Sequence, residues 1–282
     1  MEILRYAAFS TSPDGGNPAG VVLDAGGVDD ATMLATAAAV GYSETAFVTG
    51  ADGGVLDIRY FSPLVEVPFC GHATIATAVA HAQRHGTGTL QLRTRAGRVV
   101  VSTANDEHGN VVATLVSVPP RSVAIGAADL AGMLDALRWA PGDLDPDFPV
   151  HAAFAGAWHP IVAARTRTRL SLLDYDMAAL GDLMRARDWT TVNLVWRESA
   201  TVFHARNPFP PGGVREDPAT GAAAAALGGY LREHGLVTPP CTVTIHQGVD
   251  MGRPSVITAD VAPGPGEGIA VSGAAVALDA GS

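Results

Sequence analysis

Apolar and polar positions alternate with period two over several short runs: Leu56, Ile58 and Tyr60; Leu90, Leu92 and Thr94; Val243 and Ile245. Alternation sends one set of side chains to each face, so these runs predict half-buried strands, joined as antiparallel pairs by the Gly and Pro turns between them. Two alanine-rich stretches break the pattern. His72 to His81 and Gly221 to Leu231 carry almost no charge on any face, and such a helix is expected to be surrounded by protein. A small barrel or curved sheet wrapped round each helix is the economical arrangement. Amphipathic outer helices are expected at Met33 to Val40 behind Asp29-Asp30, at Ala127 to Arg138 and at Tyr175 to Arg187.

The pattern occurs twice. Asn17-Pro18 before an apolar strand is matched by His159-Pro160. Phe61-Ser62-Pro63 leading to Gly71 and a helix that stops at Gly86 is matched by Phe209-Pro210-Pro211 leading to Gly221 and a helix that stops at Gly235. Gly97-Arg98 before a valine run is matched by Gly252-Arg253 before Ser255-Val256-Ile257. The offsets, about 142, 150, 149 and 155 residues, drift as loop insertions between two copies of one fold would make them drift. The expected fold class is therefore α+β, with two pseudo-symmetric domains, residues 1–122 and 123–282, each an antiparallel β-barrel around a central helix. A return of the last strand to the first domain is compatible with this division, and the Pro- and Asp-rich span Pro119 to Pro149 holds the junction.

Composition narrows the function. With 48% apolar residues over 282 positions, two packed cores are within reach. Eighteen basic against 28 acidic residues give a net charge of −10, which opposes binding to nucleic acid or to an anionic membrane surface. The basic clusters Arg93-Thr94-Arg95 and Arg165-Thr166-Arg167-Thr168-Arg169 read as solvent faces of strands. All the basic residues are Arg, so Schiff-base chemistry, a pyridoxal-phosphate anchor and a phosphate-loop lysine are excluded. Cys70 and Cys241 form no metal-spaced or redox-spaced pair, and no signal-peptide core or long apolar run is evident, so a cytoplasmic location is expected. His81 and His85 stand at i, i+4 without a third ligand, so no metal site is expected. Gly264-Pro265-Gly266-Glu267-Gly268 precedes a strand and reads as a hairpin turn.

Chemistry concentrates at the starts of the two central helices, Cys70-Gly71-His72 and Glu216-Asp217-Pro218-Ala219-Thr220-Gly221. A helix N-terminus with glycine beside it offers unpaired N–H groups to a carboxylate. Ordinary capping by Asp217 is the competing reading of the second segment. Pseudo-symmetry would bring both starts to the interface between the halves. The acid–base candidate comes from asymmetry: Tyr42-Ser43-Glu44-Thr45-Ala46-Phe47-Val48 aligns loosely with Trp189-Thr190-Thr191-Val192-Asn193-Leu194-Val195, and only the first copy has a carboxylate. Flanked by Ala46, Phe47 and Val48, Glu44 would be partly desolvated and suited to proton transfer; an exposed Glu on a strand edge is the alternative.

Gly15-Gly16-Asn17-Pro18-Ala19-Gly20-Val21-Val22, Ser43-Glu44-Thr45-Ala46-Phe47, Phe69-Cys70-Gly71-His72-Ala73-Thr74, Glu216-Asp217-Pro218-Ala219-Thr220-Gly221 and Gln247-Gly248 with Gly252-Arg253 together resemble the phenazine-biosynthesis PhzF-like isomerase family. The match runs in order from about residue 8 to residue 258. The resemblance implies the diaminopimelate-epimerase-like fold, a homodimer and cofactor-free isomerisation of a small carboxylated substrate, with a glutamate carrying a proton between two carbons of an unsaturated amino acid. By the same resemblance Glu44 matches the proton shuttle, while His72 and Asp217 grip or polarise polar groups of the substrate. Asn17, Ser43, Gly71, Ala73, Thr220, Gly221 and Ala222 would complete the substrate-binding set. The family commonly has Ser after Thr-Gly, where Ala222 here begins a run of five alanines. That departure removes a hydroxyl donor and bears on the identity of the substrate more than on the reaction type.

Two other functions stay open at this point. Epimerases of the same fold use a cysteine at each central helix, but Cys70 faces Thr220 in the comparison, and a Thr hydroxyl is too weak an acid to replace a thiol. A non-catalytic carboxylate-binding protein would need the helix starts but not Glu44.

Overall fold

A computed structural model describes residues 1–279. The chain opens with β1 (Leu4–Ala8), β2 (Asn17–Val22), α1 (Asp30–Val40), β3 (Glu44–Asp52), β4 (Val55–Phe61), β5 (Glu66–Val67), α2 (Gly71–His85), β6 (Thr89–Thr94), β7 (Gly97–Asn105) and β8 (Val111–Val116). It continues through β9 (Arg121–Ala124), α3 (Ala127–Leu137), β10 (His151–Phe154), β11 (Trp158–Ala163), α4 (Arg167–Ser171), α5 (Met177–Ala186), β12 (Asn193–Arg197) and β13 (Val202–Phe209). Last come β14 (Val214–Asp217), α6 (Gly221–Glu233), β15 (Cys241–Gln247), β16 (Ser255–Val261) and β17 (Ala270–Ala277). Two compact units result. The first holds Met1–Val116 and the returning segment from Ser272, the second Ser117–Val271.

In the first unit the strands close in the order β1, β2, β3, β4, β6, β7, β8, β17 and back to β1. Helix α2 fills this barrel and packs on β1, β2, β3, β7 and β8. Its sequence explains the fit: Ala73, Ala76, Ala78 and Ala80 are buried with Ile75 and Val79, and such small side chains let strands approach from every side. The barrel is mixed rather than purely antiparallel, because β2/β3 and β4/β6 run parallel. Parallel neighbours need a crossover, and α1 and α2 provide one each. Asp29 caps α1 by accepting from the Thr32 N–H at 2.8 Å, and Met33 and Ala37 bury against Phe47 and Phe61, whose rings meet edge to face at 5.6 Å.

The second unit repeats the plan. β9, β10, β11, β12, β13, β15 and β16 pair in that order, with β11/β12 and β13/β15 parallel. Helix α6 packs against β9, β10, β11 and β16. A Cβ at Gly229 would lie 2.3 Å from Pro120, so the helix can approach that close only with glycine there. Helices α3 and α5 cover the outside over Met133, Leu137, Leu180, Met184 and Trp189. One sequence reading fails here: Arg165 to Arg169 is a turn entering α4, not a strand. The Thr166 side chain accepts from the Arg169 N–H at 3.1 Å and starts a helix, a local bond that overrides the Arg/Thr alternation. Arg167 is not a bare solvent face either, since it pairs with Asp250 at 2.9 Å.

Candidate active site

In the first unit, β2, β3 and the start of α2 bring Asn17, Ser43, Glu44, Gly71, His72 and Ala73 together. Cys70 is the N-terminal cap residue of α2 and offers no side-chain cap. Its carbonyl instead accepts the Thr74 hydroxyl at 2.6 Å, and Tyr60, buried in β4, reaches that hydroxyl at 2.6 Å. The chain entering α2 is therefore fixed from the barrel wall. His72, buried in the first turn, sits among four polar partners. Its Nδ1 lies 3.3 Å from the Asn17 amide nitrogen and 3.4 Å from Cys70 Sγ. Its Nε2 lies 3.3 Å from Ser43 Oγ and 3.4 Å from Glu44 Oε2. An amide N–H donating to Nδ1 assigns the ring proton to Nε2, on the Glu44 side. The Cys70 thiol donates to the same Glu44 oxygen at 3.6 Å.

The Glu44 side chain keeps 17% of its surface exposed and that of His72 9%. A carboxylate so placed is shielded on most sides yet reachable, so it can take up a proton on its open side and release it there. The edge-strand alternative for Glu44 does not hold, because β3 lies inside a closed barrel between β2 and β4.

In the second unit, Asp217 ends β14, where its backbone is in register with Asn207. It does not cap α6. The cap residue is Thr220, without a side-chain cap bond, and its hydroxyl donates instead to Asp217 Oδ2 at 2.5 Å. Gln247 clamps the segment by donating to the Asp217 carbonyl at 2.7 Å and the Thr220 hydroxyl at 3.0 Å, and by accepting from the Thr220 N–H at 3.1 Å. The loop after Gln247 passes so near that a Cβ on Gly248, whose φ is +74°, would stand 2.7 Å from the Pro218 carbonyl oxygen and 2.2 Å from that of Arg253. Gly221 and Ala222 open the helix, half-buried, with their N–H groups at its positive end. Glu216 plays a different part from Asp217: it is buried against Arg206 in a two-bond ion pair at 2.9 and 2.6 Å.

A buried polar chain supports α6 from below. His159 Nδ1 meets the Thr191 hydroxyl at 2.8 Å, that hydroxyl donates to Asn207 at 2.8 Å, Asn207 reaches Asn193 at 3.4 Å, and Asn193 donates to the Ala223 carbonyl at 3.2 Å. Burial pushes the His159 imidazole down to about 4. Register corrects the sequence alignment: Ala19 of β2 faces Glu44, and Ile161 of β11 faces Asn193. Since His159 stands where Asn17 does, Asn193 rather than Thr191 occupies the place of Glu44. The asymmetry remains, as Asn193 is no acid.

Neither Cys70 nor Gln247 has a role in the chemistry that the sequence alone assigns. The Gln247-Gly248 pair was the available signal, since glycine with positive φ marks a loop held close to something. His81 and His85 have ring centroids 4.5 Å apart near the end of α2, away from the Glu44 cluster at its start.

A buried imidazole and a shielded carboxylate meet at the start of a barrel-enclosed helix, groups able to exchange a proton. The model of the phenazine biosynthesis-like protein family, PhzC-PhzF, matches residues 6–281. The chain is 34% identical to an uncharacterized isomerase of Deinococcus radiodurans over 91% of this chain and 85% of that one. It is 34% identical to trans-2,3-dihydro-3-hydroxyanthranilate isomerase of Pseudomonas fluorescens, over 89% and 87%. Among solved structures, a Bacillus anthracis phenazine biosynthesis protein of the PhzF family superposes with a TM-score of 0.88 at 24% identity, over 99% and 98% of the two chains. A probable proline racemase from Agrobacterium radiobacter gives 0.65 at 13% identity, over 98% and 90%, which extends the fold to racemases. The chain belongs to the phenazine biosynthesis-like family, and it is an isomerase.

Proposed function

We propose that this protein moves a proton, and with it a double bond, within a small unsaturated cyclic amino acid, without a cofactor. The observation that carries the reading is the position of Glu44, mostly shielded, with one carboxylate oxygen 3.4 Å from His72 Nε2 and 3.6 Å from the Cys70 thiol. Glu44 removes a proton from one carbon and returns it to another. The His72 N–H holds the carboxylate in one orientation and stabilises its negative charge as the proton is handed back. Asn17 and Ser43 keep the imidazole in place. In the second unit, Asp217 is a carboxylate suited to accept from an ammonium or hydroxyl group, and the N–H groups of Gly221 and Ala222 suit a carboxylate. Ala222 supplies no hydroxyl, which supports a substrate different at that contact from the one in the relatives' name.

The phenazine connection of the family supports a place in specialised-metabolite synthesis. The test is incubation with a panel of unsaturated cyclic amino acids, trans-2,3-dihydro-3-hydroxyanthranilate among them, while the ultraviolet spectrum is followed for a displaced double bond. Conversion by wild type and none by Glu44→Gln is the expected outcome. Equal conversion by both overturns the reading.

A further inference from the structure

We propose that Glu44, Cys70 and His72 form a three-ligand site for Zn2+, and that zinc bound there silences the enzyme. The silencing rests on the isomerase reading above; the binding does not. Among the described residues this is the one group of three His, Cys, Asp or Glu whose ligand atoms all lie within 4.8 Å of one another.

The donor set is one that zinc selects: a thiolate, an imidazole nitrogen and a carboxylate oxygen. The spacing fits as well. Zinc lies about 2.3 Å from sulfur and about 2.0–2.2 Å from nitrogen or oxygen, which sets neighbouring ligands of a tetrahedron about 3.3–3.6 Å apart. Here His72 Nε2 and Glu44 Oε2 are 3.4 Å apart, Cys70 Sγ and Glu44 Oε2 3.6 Å, and Cys70 Sγ and His72 Nε2 3.8 Å. The three atoms already outline one face of the tetrahedron, and a shift of a few tenths of an ångström completes it. They are also held on rigid elements. Glu44 begins β3, while Cys70 and His72 straddle the start of α2, where Thr74 and Tyr60 pin the Cys70 carbonyl.

Binding balances with the loss of one proton. The Cys70 thiol releases its proton to solvent and binds as thiolate. The His72 ring proton moves from Nε2 to Nδ1, and the Asn17 amide turns its oxygen to accept it, the outer partner that a zinc-bound imidazole ordinarily has. The fourth position is left to water. With Glu44 Oε2 on the metal, the carboxylate no longer collects a proton from carbon.

The experiment uses metal-stripped, full-length protein and Co2+ as the spectroscopic probe, with no substrate present. One equivalent of Co2+ is expected to produce a thiolate-to-metal band in the near ultraviolet and intense visible bands of a tetrahedral ion, all bleached by Zn2+. Cys241→Ala should keep these bands and Cys70→Ala lose them; Cys70→Ser stands in if the alanine variant does not fold. In a turnover assay, with each protein compared against its own metal-free rate, the Zn2+ concentration that halves the rate of Cys70→Ala should lie at least about tenfold above that of wild type. Absence of the thiolate band, or its persistence in Cys70→Ala, overturns the metal site. The two readings fail separately: a Cys70-dependent band with no isomerase activity on any substrate sinks the reaction and keeps the site. An active wild type without the band does the reverse.

Discussion

His72 Nε2 stands 3.4 Å from Glu44 Oε2 while the Asn17 amide holds the opposite ring nitrogen at 3.3 Å. The imidazole thus presents an N–H to a carboxylate that it cannot turn away from. In the proposed reaction the carboxylate is the base. Glu44→Gln keeps the shape and the hydrogen bond but cannot take a proton, so kcat should fall by about two to four powers of ten. The melting temperature and substrate KM should change little. Turnover within tenfold of wild type would remove Glu44 from the mechanism.

Arg206 and Glu216 form a nearly sealed ion pair, with side chains 10% and 6% exposed, and Arg206 also donates to the Ser171 carbonyl at 2.7 Å. Removing one member leaves a buried charge without its partner. Arg206→Ala should therefore destabilise the protein by about 3–5 kcal/mol, read as a fall in the urea midpoint at constant slope. Replacing both members with apolar residues of matching volume should recover much of that loss. A double variant as unstable as the single one would show that the segment carrying Asp217 depends on the pair for its position.

His159 gives the fold a pH dependence whose sign follows from burial. Its folded-state value of about 4 lies below the 6.5 or so of an unfolded chain. Between these values the unfolded state holds the proton and the folded state does not. The contribution is present in full above about pH 6.5 and is lost as pH falls toward 4. His81, His151 and His246, also lowered by burial, act in the same direction. Urea unfolding at pH 7 and pH 5 should show His159→Gln losing about 2 kcal/mol less than wild type over that interval. Equal losses would assign the sensitivity to other groups.

The central helices were legible because their evidence is local: a window without charge can only be enclosed, and the repeated landmarks placed two of them. The first-unit site was legible for a related reason, since Ser43-Glu44 opens a strand and Gly71-His72 opens a helix. Long-range pairing was not. Period two does not tell parallel from antiparallel strands, so the crossovers by α1, α2 and α6 emerged only with the register, as did Asn193 in the place of Glu44. Asp217-Pro218 carried a local capping signal that lost to tertiary bonds. Asp217 stays in β14 opposite Asn207, and Gln247, 30 residues away, holds its carbonyl. The neighbours of Cys70 were not legible, because a lone cysteine in sequence does not reveal which side chains fold onto it.

Cys70 and Thr220 separate one-base isomerisation from two-base epimerisation. An epimerase needs an acid at the start of each central helix. Thr220 stands at the second start, its hydroxyl given to Asp217 at 2.5 Å, and a hydroxyl of that kind does not ionise near neutral pH. Asn193, in the register place of Glu44, is neither an acid nor a base near neutral pH. One carrier can serve two carbons only by removing and returning the proton on the same face of the substrate. In heavy water, deuterium should therefore enter the product at the carbon that receives the proton, to an extent set by how fast Glu44 exchanges with solvent. The amino-acid stereocentre, where it survives the reaction, should stay unexchanged and uninverted. Cys70→Ala should retain most of its turnover in metal-free buffer, because the second central helix starts with Thr220 and offers no second thiol to complete a two-base step. An inactive Cys70→Ala, together with solvent deuterium at an inverted α-carbon in wild type, would restore the epimerase reading and displace Glu44 as the carrier.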